Sequence, residues 1–258
     1  MSLLTGAPVP TSDDIGTVDD LVGRKGATTV AVCVPARDEA HTIGAVVDTA
    51  RLLADRGLVD EIVVVDDGSC DATAARASAR GALVVPNEGG PGKGQALARA
   101  VNATTADLLV FLDADVVNLS ERFVTGLVAP LIDGPAVQLV KGTYRRALHG
   151  RPGEGGRVTE LMARPLLDRF FPPLAVIGQP LAGESAIRRS ALQELVLEEG
   201  YGIEIALLID VYRRWGIRAI AEVDLGERQH RNRPLDELRP QAAAVLHAVL
   251  ARAPGSGA

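Results

Sequence analysis

Aromatic residues are scarce in this sequence, in which Phe, Trp and Tyr together make up 3% of 258 residues. With hydrophobic residues at 47%, the core must be assembled from Val, Leu, Ile and Ala. Length and apolar content suffice for one large domain or two small ones. Cysteine is nearly absent as well. Cys33 lies in an apolar run and Cys70 in a turn, a pair with no metal-ligand spacing and no disulfide framework, which fits a reducing compartment. A basic surplus is lacking too: a formal charge of -6 argues against a general nucleic-acid binder. No apolar run approaches the roughly 18–20 residues that span a bilayer. The polar, acidic start carries no secretory signal. Residues 1–28 are therefore expected as a flexible N-terminal extension and 251–258 as a disordered tail, in a soluble, cytoplasmic protein.

Several catalytic motifs are missing. GPGKG (90–94) fails the phosphate-loop pattern, which needs glycine where Asn87 stands and Ser or Thr where Gly94 stands. No G-x-G-x-x-G follows the first strand, which excludes a typical dehydrogenase. GESA (183–186) lacks the flanking glycines of a nucleophile elbow, so no Ser-His-Asp hydrolase is indicated.

What is present is an alternation of short β-rich runs with helical stretches. TVAVCV (29–34), EIVVVDDGS (61–69), ALVVP (82–86) and DLLVFLDAD (107–115) read as strands. Helices fall between them, from about Glu39 to Arg56, from Asp71 to Arg80 with Asp71 as N-cap, and after PGKG. Near-continuous apolar strands linked by helices predict an α/β, doubly wound, parallel sheet covered on both faces. AVQLVKGTYRR (136–146) and IRAIAEVDL are further strands. GRVTELMARPLLDRF, a stretch near 188–197, GYGIEIALLIDVYRRWG closed by Gly216, and RPLDELRPQAAAVLHAVLAR are expected helices.

The first four strands end in PARDE, DDGS, NEGGPGKG and DAD. In open α/β sheets ligands collect beyond the carboxyl ends of the strands, so these four ends should converge on one site. Asp113 and Asp115, at D-x-D spacing, would repel each other unless a cation lies between them. A hard divalent ion such as Mg²⁺ needs only one or two carboxylates when phosphate oxygens and water complete its shell. A glycine turn carrying Lys93 at a helix start suits the anionic groups of a nucleotide. Between Lys141 and Arg189, nine Lys and Arg face four Asp and Glu, a local excess of five positive charges that suits an anionic ligand. His230 follows the last strand among Arg228, Arg231, Asn232 and Arg233 and is a candidate metal ligand.

VPARDE, VVVDDGSCD, PGKGQA and FLDAD, in this order, resemble the GT-A nucleotide-sugar glycosyltransferases. QLVKGTYRR, GGRVTELMARPLL, QPLAGE, GYGIEIALLID and HRNRPLDEL resemble, within them, the retaining glucosyl-3-phosphoglycerate synthases, over roughly residues 29–250. The pairing of GGRVTEL with HRNRPL is the specific part, since the first-half motifs are general to the fold. ARDE, DDGS and DAD stand where ALNE, DSGS and DSD are more usual; Ala114, between the two aspartates, need not touch a metal.

The resemblance implies a GT-A fold, a mostly parallel Rossmann-like sheet with a nucleotide-sugar half at 29–118 and an acceptor-binding half with a C-terminal helix at 119–250. It implies transfer of glucose from UDP-glucose to the 2-hydroxyl of 3-phosphoglycerate, with Mg²⁺ or Mn²⁺, by a homodimer built partly from the C-terminal region. By the same resemblance Pro35, Ala36 and Glu39 line the uracil and ribose pocket, with Asp67 nearby. Lys93 contacts the nucleotide, Asp113 the ribose or sugar, and Asp115 and His230 the metal. Gly156, Arg157 and Thr159, helped by Asn232 and Arg233, take the phosphoglycerate phosphate, and Tyr201 joins the substrate site. Glu204 and the turn from Leu181 to Glu184 face the transferred sugar. Three other activities fit the same motifs: a mannosyl-3-phosphoglycerate synthase using GDP-mannose, a polyprenyl-phosphate glycosyltransferase and a non-catalytic sugar-nucleotide sensor. The absence of a membrane anchor and the presence of GGRVTEL count against the second.

Overall fold

The computed structural model describes residues 10–88, 90–145, 147–148, 151–152, 156–229 and 235–255. In chain order its elements are α1 (Val18–Lys25), β1 (Val30–Ala36), α2 (Ile43–Asp55), β2 (Glu61–Asp66), α3 (Thr73–Ser78), β3 (Leu83–Pro86), α4 (Lys93–Asn102), β4 (Leu108–Phe111) and α5 (Glu121–Asp133). There follow β5 (Leu139–Arg145), an antiparallel pair of two-residue strands, β6 (Ala147–Leu148) and β7 (Arg151–Pro152), α6 (Arg164–Phe170), β8 (Ser185–Arg188), α7 (Arg189–Leu192), α8 (Ile203–Trp215), β9 (Ile220–Glu227) and α9 (Leu235–Ala251). Among the described residues no helix is long and apolar enough to cross a membrane.

The main sheet runs β3-β2-β1-β4-β8-β5-β9. All its neighbours pair in parallel except β8, which is antiparallel to both β4 and β5. The period-two alternation of strand side chains divides the core into two layers. Val30, Val32 and Val34 of β1 pack with α1, α2 and α5 on one face, and Ala31 and Cys33 with α4, α6, α8 and α9 on the other. This is the mostly parallel α/β sheet expected, with helices on both faces, made mixed by the antiparallel β8. Burial on the second face drives the Cys33 thiol up to about 12, which leaves it inert.

Several elements differ from their sequence-based expectation. The strand predicted through residue 115 stops at Phe111, whose partner across the sheet is Ser185, the first residue of β8. Beyond it β8 offers no further partner, since the turn from Ala182 to Glu184 precedes its first residue, although β1 runs on to Ala36 on the other side. QPLAGESAI contains a strand that the pattern did not reveal, and the helix expected near 188–197 shrinks to α7 (Arg189–Leu192). GRVTELMARPLLDRF is interrupted by a π-type turn at Thr159–Ala163 before α6. The helix expected from Glu39 starts at Ile43.

Ala72, not Asp71, is the N-cap of α3. Asp71 is instead shared, accepting from the N–H groups of Thr73 and Ala40 at 2.9 and 3.0 Å. Within the expected N-terminal extension, α1 packs into the core with Leu21 fully buried, and Lys25 forms an ion pair with Asp60 at 2.7 Å. Asp224 N–H also reaches back to Pro10. At the other end, Arg252 joins Asp210 of α8 to Glu198 at 2.8 and 2.7 Å, which anchors the start of the expected tail.

Candidate active site

The strand ends are stitched to one another pair by pair. Asp38, after β1, takes a left-handed φ of 54° that turns its carboxylate onto the N–H of Cys70, 2.8 Å away after β2. Asp38 N–H in turn donates to Ser69, and Glu39 N–H donates to Thr73. Asp67 after β2 accepts from Gly92 N–H at 3.1 Å and from the Asn87 amide, which closes the β3–α4 loop over the sheet. Lys93, at the first position of α4, spans to Asp113 after β4, with Nζ 2.6 Å from Oδ1. Pro35 and Ala36 form the end of β1 beneath these loops. The expected convergence of four strand ends is therefore a set of specific bonds.

Around Asp113 the bonds multiply. Lys93 Nζ also lies 2.6 Å from Glu204 Oε1 on the first turn of α8, a favourable place for an acidic side chain. Burial opposes the Lys93 charge, but Asp113 and Glu204 outweigh it and hold the ammonium above its usual range. Arg228, just past β9, places one nitrogen, Nη2, 2.8 Å from Asp113 Oδ2 and 2.9 Å from Asp115 Oδ1. Its Nε lies 2.7 Å from Glu184 Oε1, an ion pair in contact although the N–H is not aligned for a hydrogen bond. The ring of Tyr144 stacks over the guanidinium at 5.5 Å. Glu184 is fully buried and Arg228 nearly so, so each neutralises a charge the other could not leave unpaired.

Asp113 and Asp115 are spared mutual repulsion by this arginine. Their side chains remain 22% and 19% exposed, open enough to meet a ligand entering from solvent. Ala114 between them is buried in the core, which explains why a small apolar residue stands there. Gly183 passes so near that a Cβ on it would lie 2.2 Å from Asp113 Oδ1. Only glycine permits that approach.

The chain leading to His230 is also tied to this place. Gln229 N–H donates to Asn118 Oδ1 at 2.8 Å, and Val117 N–H donates to the Gln229 carbonyl at 3.0 Å. The second half of FLDADVVN thus fixes the residue that precedes His230. His230, Asn232 and Arg233 themselves lie outside the described residues. Among the described residues no cluster of three or more His, Cys, Asp or Glu is placed to hold a metal. Asp113 has both oxygens on Lys93 and Arg228, whereas Asp115, 19% exposed, is a carboxylate that fits a hard divalent ion taking most of its shell from phosphate oxygens and water.

The expected acceptor residues sit on the basic segment. Gly156 has φ 85° and faces the buried Thr159, and Arg157 lies between them at the start of the helical run. From α6, Arg164 donates to the carbonyl of Gly178 at 2.8 Å, and Glu222 of β9 accepts from Gly178 N–H at 2.7 Å. These bonds join the acceptor segment to the run from Gly178 through Leu181 to Glu184. Tyr201, 40% exposed, stands on the Gly200–Gly202 turn, whose Gly200 N–H donates to Gln95 of α4 at 3.1 Å.

Residues 31–196 match the family model for glycosyl transferase family 2. The glucosyl-3-phosphoglycerate synthase of Mycolicibacterium paratuberculosis is 47% identical over 93% of this chain and 78% of its own length. That of Petrotoga mobilis is 40% identical over 86% and 73%. The chain belongs to the glucosyl-3-phosphoglycerate synthase family. The crystal structure of the Mycobacterium tuberculosis family member with Mn²⁺, UDP-glucose and phosphoglyceric acid superposes with a TM-score of 0.86 at 46% identity, covering 94% of this chain and 86% of that one. The form of that enzyme bound to Mg²⁺ and UDP superposes equally well, again at 0.86.

Arg228 and Lys141 are the components that sequence reasoning missed. Arg228 appeared only as one of several arginines near His230, and its signal was its place directly after an apolar strand. Lys141 sits inside an apolar run on β5, where a buried lysine is rare.

Proposed function

We propose that this chain is a metal-dependent retaining glucosyltransferase that moves glucose from UDP-glucose to the 2-hydroxyl of 3-phosphoglycerate. The observation that carries this is the matching fold and 46% identity to the relative solved with Mn²⁺, UDP-glucose and phosphoglyceric acid together. Pro35, Ala36, Glu39 and Asp67 bind the nucleoside, and the start of α4 with Lys93 faces the diphosphate. Gly156, Arg157, Thr159 and Tyr201, with Asn232 and Arg233, take the acceptor. Asp115 and His230 hold Mg²⁺ or Mn²⁺, which as a Lewis acid offsets charge growing on the leaving diphosphate.

In the reaction the bond from the anomeric carbon to the diphosphate oxygen breaks and a bond to the acceptor oxygen forms on the same face. The acceptor hydroxyl proton passes to the departing phosphate. Lys93 stabilises the charge that develops there, already oriented by Asp113 and Glu204. Neither candidate carboxylate is disposed as a nucleophile. Glu184 is sealed against Arg228, and Glu204 is bound to Lys93. Front-face transfer beside the Leu181–Glu184 turn is therefore favoured over a covalent glycosyl-enzyme. Residues 29–118 form the nucleotide-sugar half and 119–250 the acceptor half of one domain. The protein acts in the cytoplasm as a homodimer, which the exposed Leu161 and Leu250 support, on elements that pack side by side.

The test is a matrix of UDP-glucose and GDP-mannose against 3-phosphoglycerate and related acceptors, with and without Mg²⁺ or Mn²⁺. Metal-dependent UDP release that requires 3-phosphoglycerate supports the proposal. Transfer from GDP-mannose alone replaces the donor, and binding without turnover makes the protein a sensor. A trapped glycosyl-enzyme on Glu184 or Glu204 overturns the front-face route.

A further inference from the structure

We propose that Lys141 is a positioning residue for the transfer step, whose ammonium sets the Ala182–Glu184 turn against Asp113. The inference rests on the glucosyl-transfer reading above. Lys141 points from β5 into the protein with only 2% of its surface exposed. Its Nζ donates to the carbonyl of Ala182 at 2.6 Å, and the next residue, Gly142, donates its N–H to the carbonyl of Glu184 at 2.9 Å. One strand thus grips the turn at both ends, once through a side chain and once through the backbone. Between the two held carbonyls stands Gly183, which leaves no room for a Cβ beside Asp113. A shift of the turn by a few tenths of an ångström would be felt by Asp113, and through it by Lys93 and Arg228.

Stability alone does not call for this lysine. Burying an ammonium is costly, and that cost offsets what the bond to Ala182 and the nearby carboxylates return. What methionine or leucine cannot do is donate to Ala182. Carboxylates approach the ammonium from several elements: Glu204 from α8, Glu184 from the turn itself, and Asp113 from the end of β4. Glu222 comes from β9, where it is the register partner of Lys141 across the sheet. Lys93 of α4 opposes them. Burial is the dominant influence and brings the Lys141 ammonium down from 10.5 to about 8. Deprotonation would turn a charge-assisted bond to Ala182 into a weaker neutral one.

Activity and stability should respond to this titration in opposite directions. Between about 8 and 10.5 the unfolded chain keeps a proton that the folded protein has released, so raising the pH favours the folded state at this group. Over the same interval the turn loses its hold and turnover falls. Alkaline inactivation without loss of thermal stability is a signature that a merely structural lysine would not leave.

The experiment measures UDP release against pH for the wild-type protein, Lys141→Met and Lys141→Arg, with Tm recorded at each pH. Wild-type kcat should fall through about pH 8 with KM for UDP-glucose unchanged. Lys141→Met should lose on the order of 10–100-fold in kcat at neutral pH and show no such alkaline limb, while its unpaired Ala182 carbonyl lowers Tm. Lys141→Arg, which keeps a permanent donor, should recover part of the rate and move the limb upward. Wild-type kcat in Lys141→Met, or an alkaline limb that survives in it, overturns the inference while leaving the glucosyl-transfer reading intact. Should the methionine variant not fold, the wild-type profile decides, and a flat kcat through about pH 8 overturns the inference. Absence of UDP release by the wild type at every pH overturns the transfer reading, and this inference with it.

Discussion

Arg228 Nη2 stands 2.9 Å from Asp115 Oδ1, so a fixed cation already rests against the carboxylate assigned to a mobile one. The same nitrogen holds Asp113, and Nε holds Glu184. Arg228→Met should strand Glu184 as a buried, unpaired charge and cost about 3–5 kcal/mol. Denaturant midpoints check this, and the double variant with Glu184→Gln should regain most of the loss. Arg228→Lys should not substitute, because a point charge cannot meet three carboxylates from one planar group.

Lys93→Ala should lower kcat by about 10²–10³-fold, the usual effect of removing one preorganised charge from a developing anion. Asp113 and Glu204 would be left facing each other, so Lys93→Ala/Glu204→Gln should be more stable than Lys93→Ala alone. Steady-state kinetics and thermal melts on the three proteins decide it.

Asp115→Ala should act chiefly on the metal. A titration with Mn²⁺ should show a much weaker midpoint for the variant, and a chelator should abolish wild-type turnover until Mg²⁺ or Mn²⁺ is restored. Full activity after exhaustive chelation would refute the metal role.

Gly94→Ala places a Cβ 2.1 Å from the backbone carbonyl of Glu198, which no side-chain rotation relieves. Either α4 or the loop before Tyr201 must move, at a cost of about 1–3 kcal/mol. Since Arg252 holds Glu198 at 2.7 Å, the loop is braced from behind. The expected outcome is a lower melting temperature together with a raised KM for 3-phosphoglycerate.

Glu222 is pushed up from 4.5 to about 7 by burial, against the opposing pull of the Gly178 and Gln179 N–H groups. Between those two pH values the folded protein holds a proton that the unfolded chain has lost. Stability at this group is therefore present at low pH and declines as pH rises through about 7. Glu222→Gln should match the wild type below pH 4.5 and exceed it above neutrality, on the order of a few kcal/mol. Melting curves across that range test the sign.

The first-half strands were legible because a parallel sheet buries both strand faces, and runs such as VAVCV and IVVV leave no other reading. Their polar ends were legible for the same reason, since four interruptions of four apolar runs must share one sheet edge. The second half was less open. The strand Ser185–Arg188 has four residues and follows a turn, so periodicity could not separate it from a loop. The end of β4 at Phe111 was hidden because its partner there is Ser185, the first residue of β8, 74 residues further along the chain.

FLDADVVN shows the division most plainly. Residue identity alone determined that two carboxylates lie at a strand end and that a cation must reconcile them. The tertiary structure decided which cation the protein itself supplies. Arg228 arrives from β9, Lys93 from α4 and the Glu204 carboxylate from α8, and only the folded sheet brings them within 3 Å of that octapeptide or of one another. Local sequence sets backbone preference and burial pattern. Charge pairing between distant segments depends on through-space distance, which no spacing along the chain records.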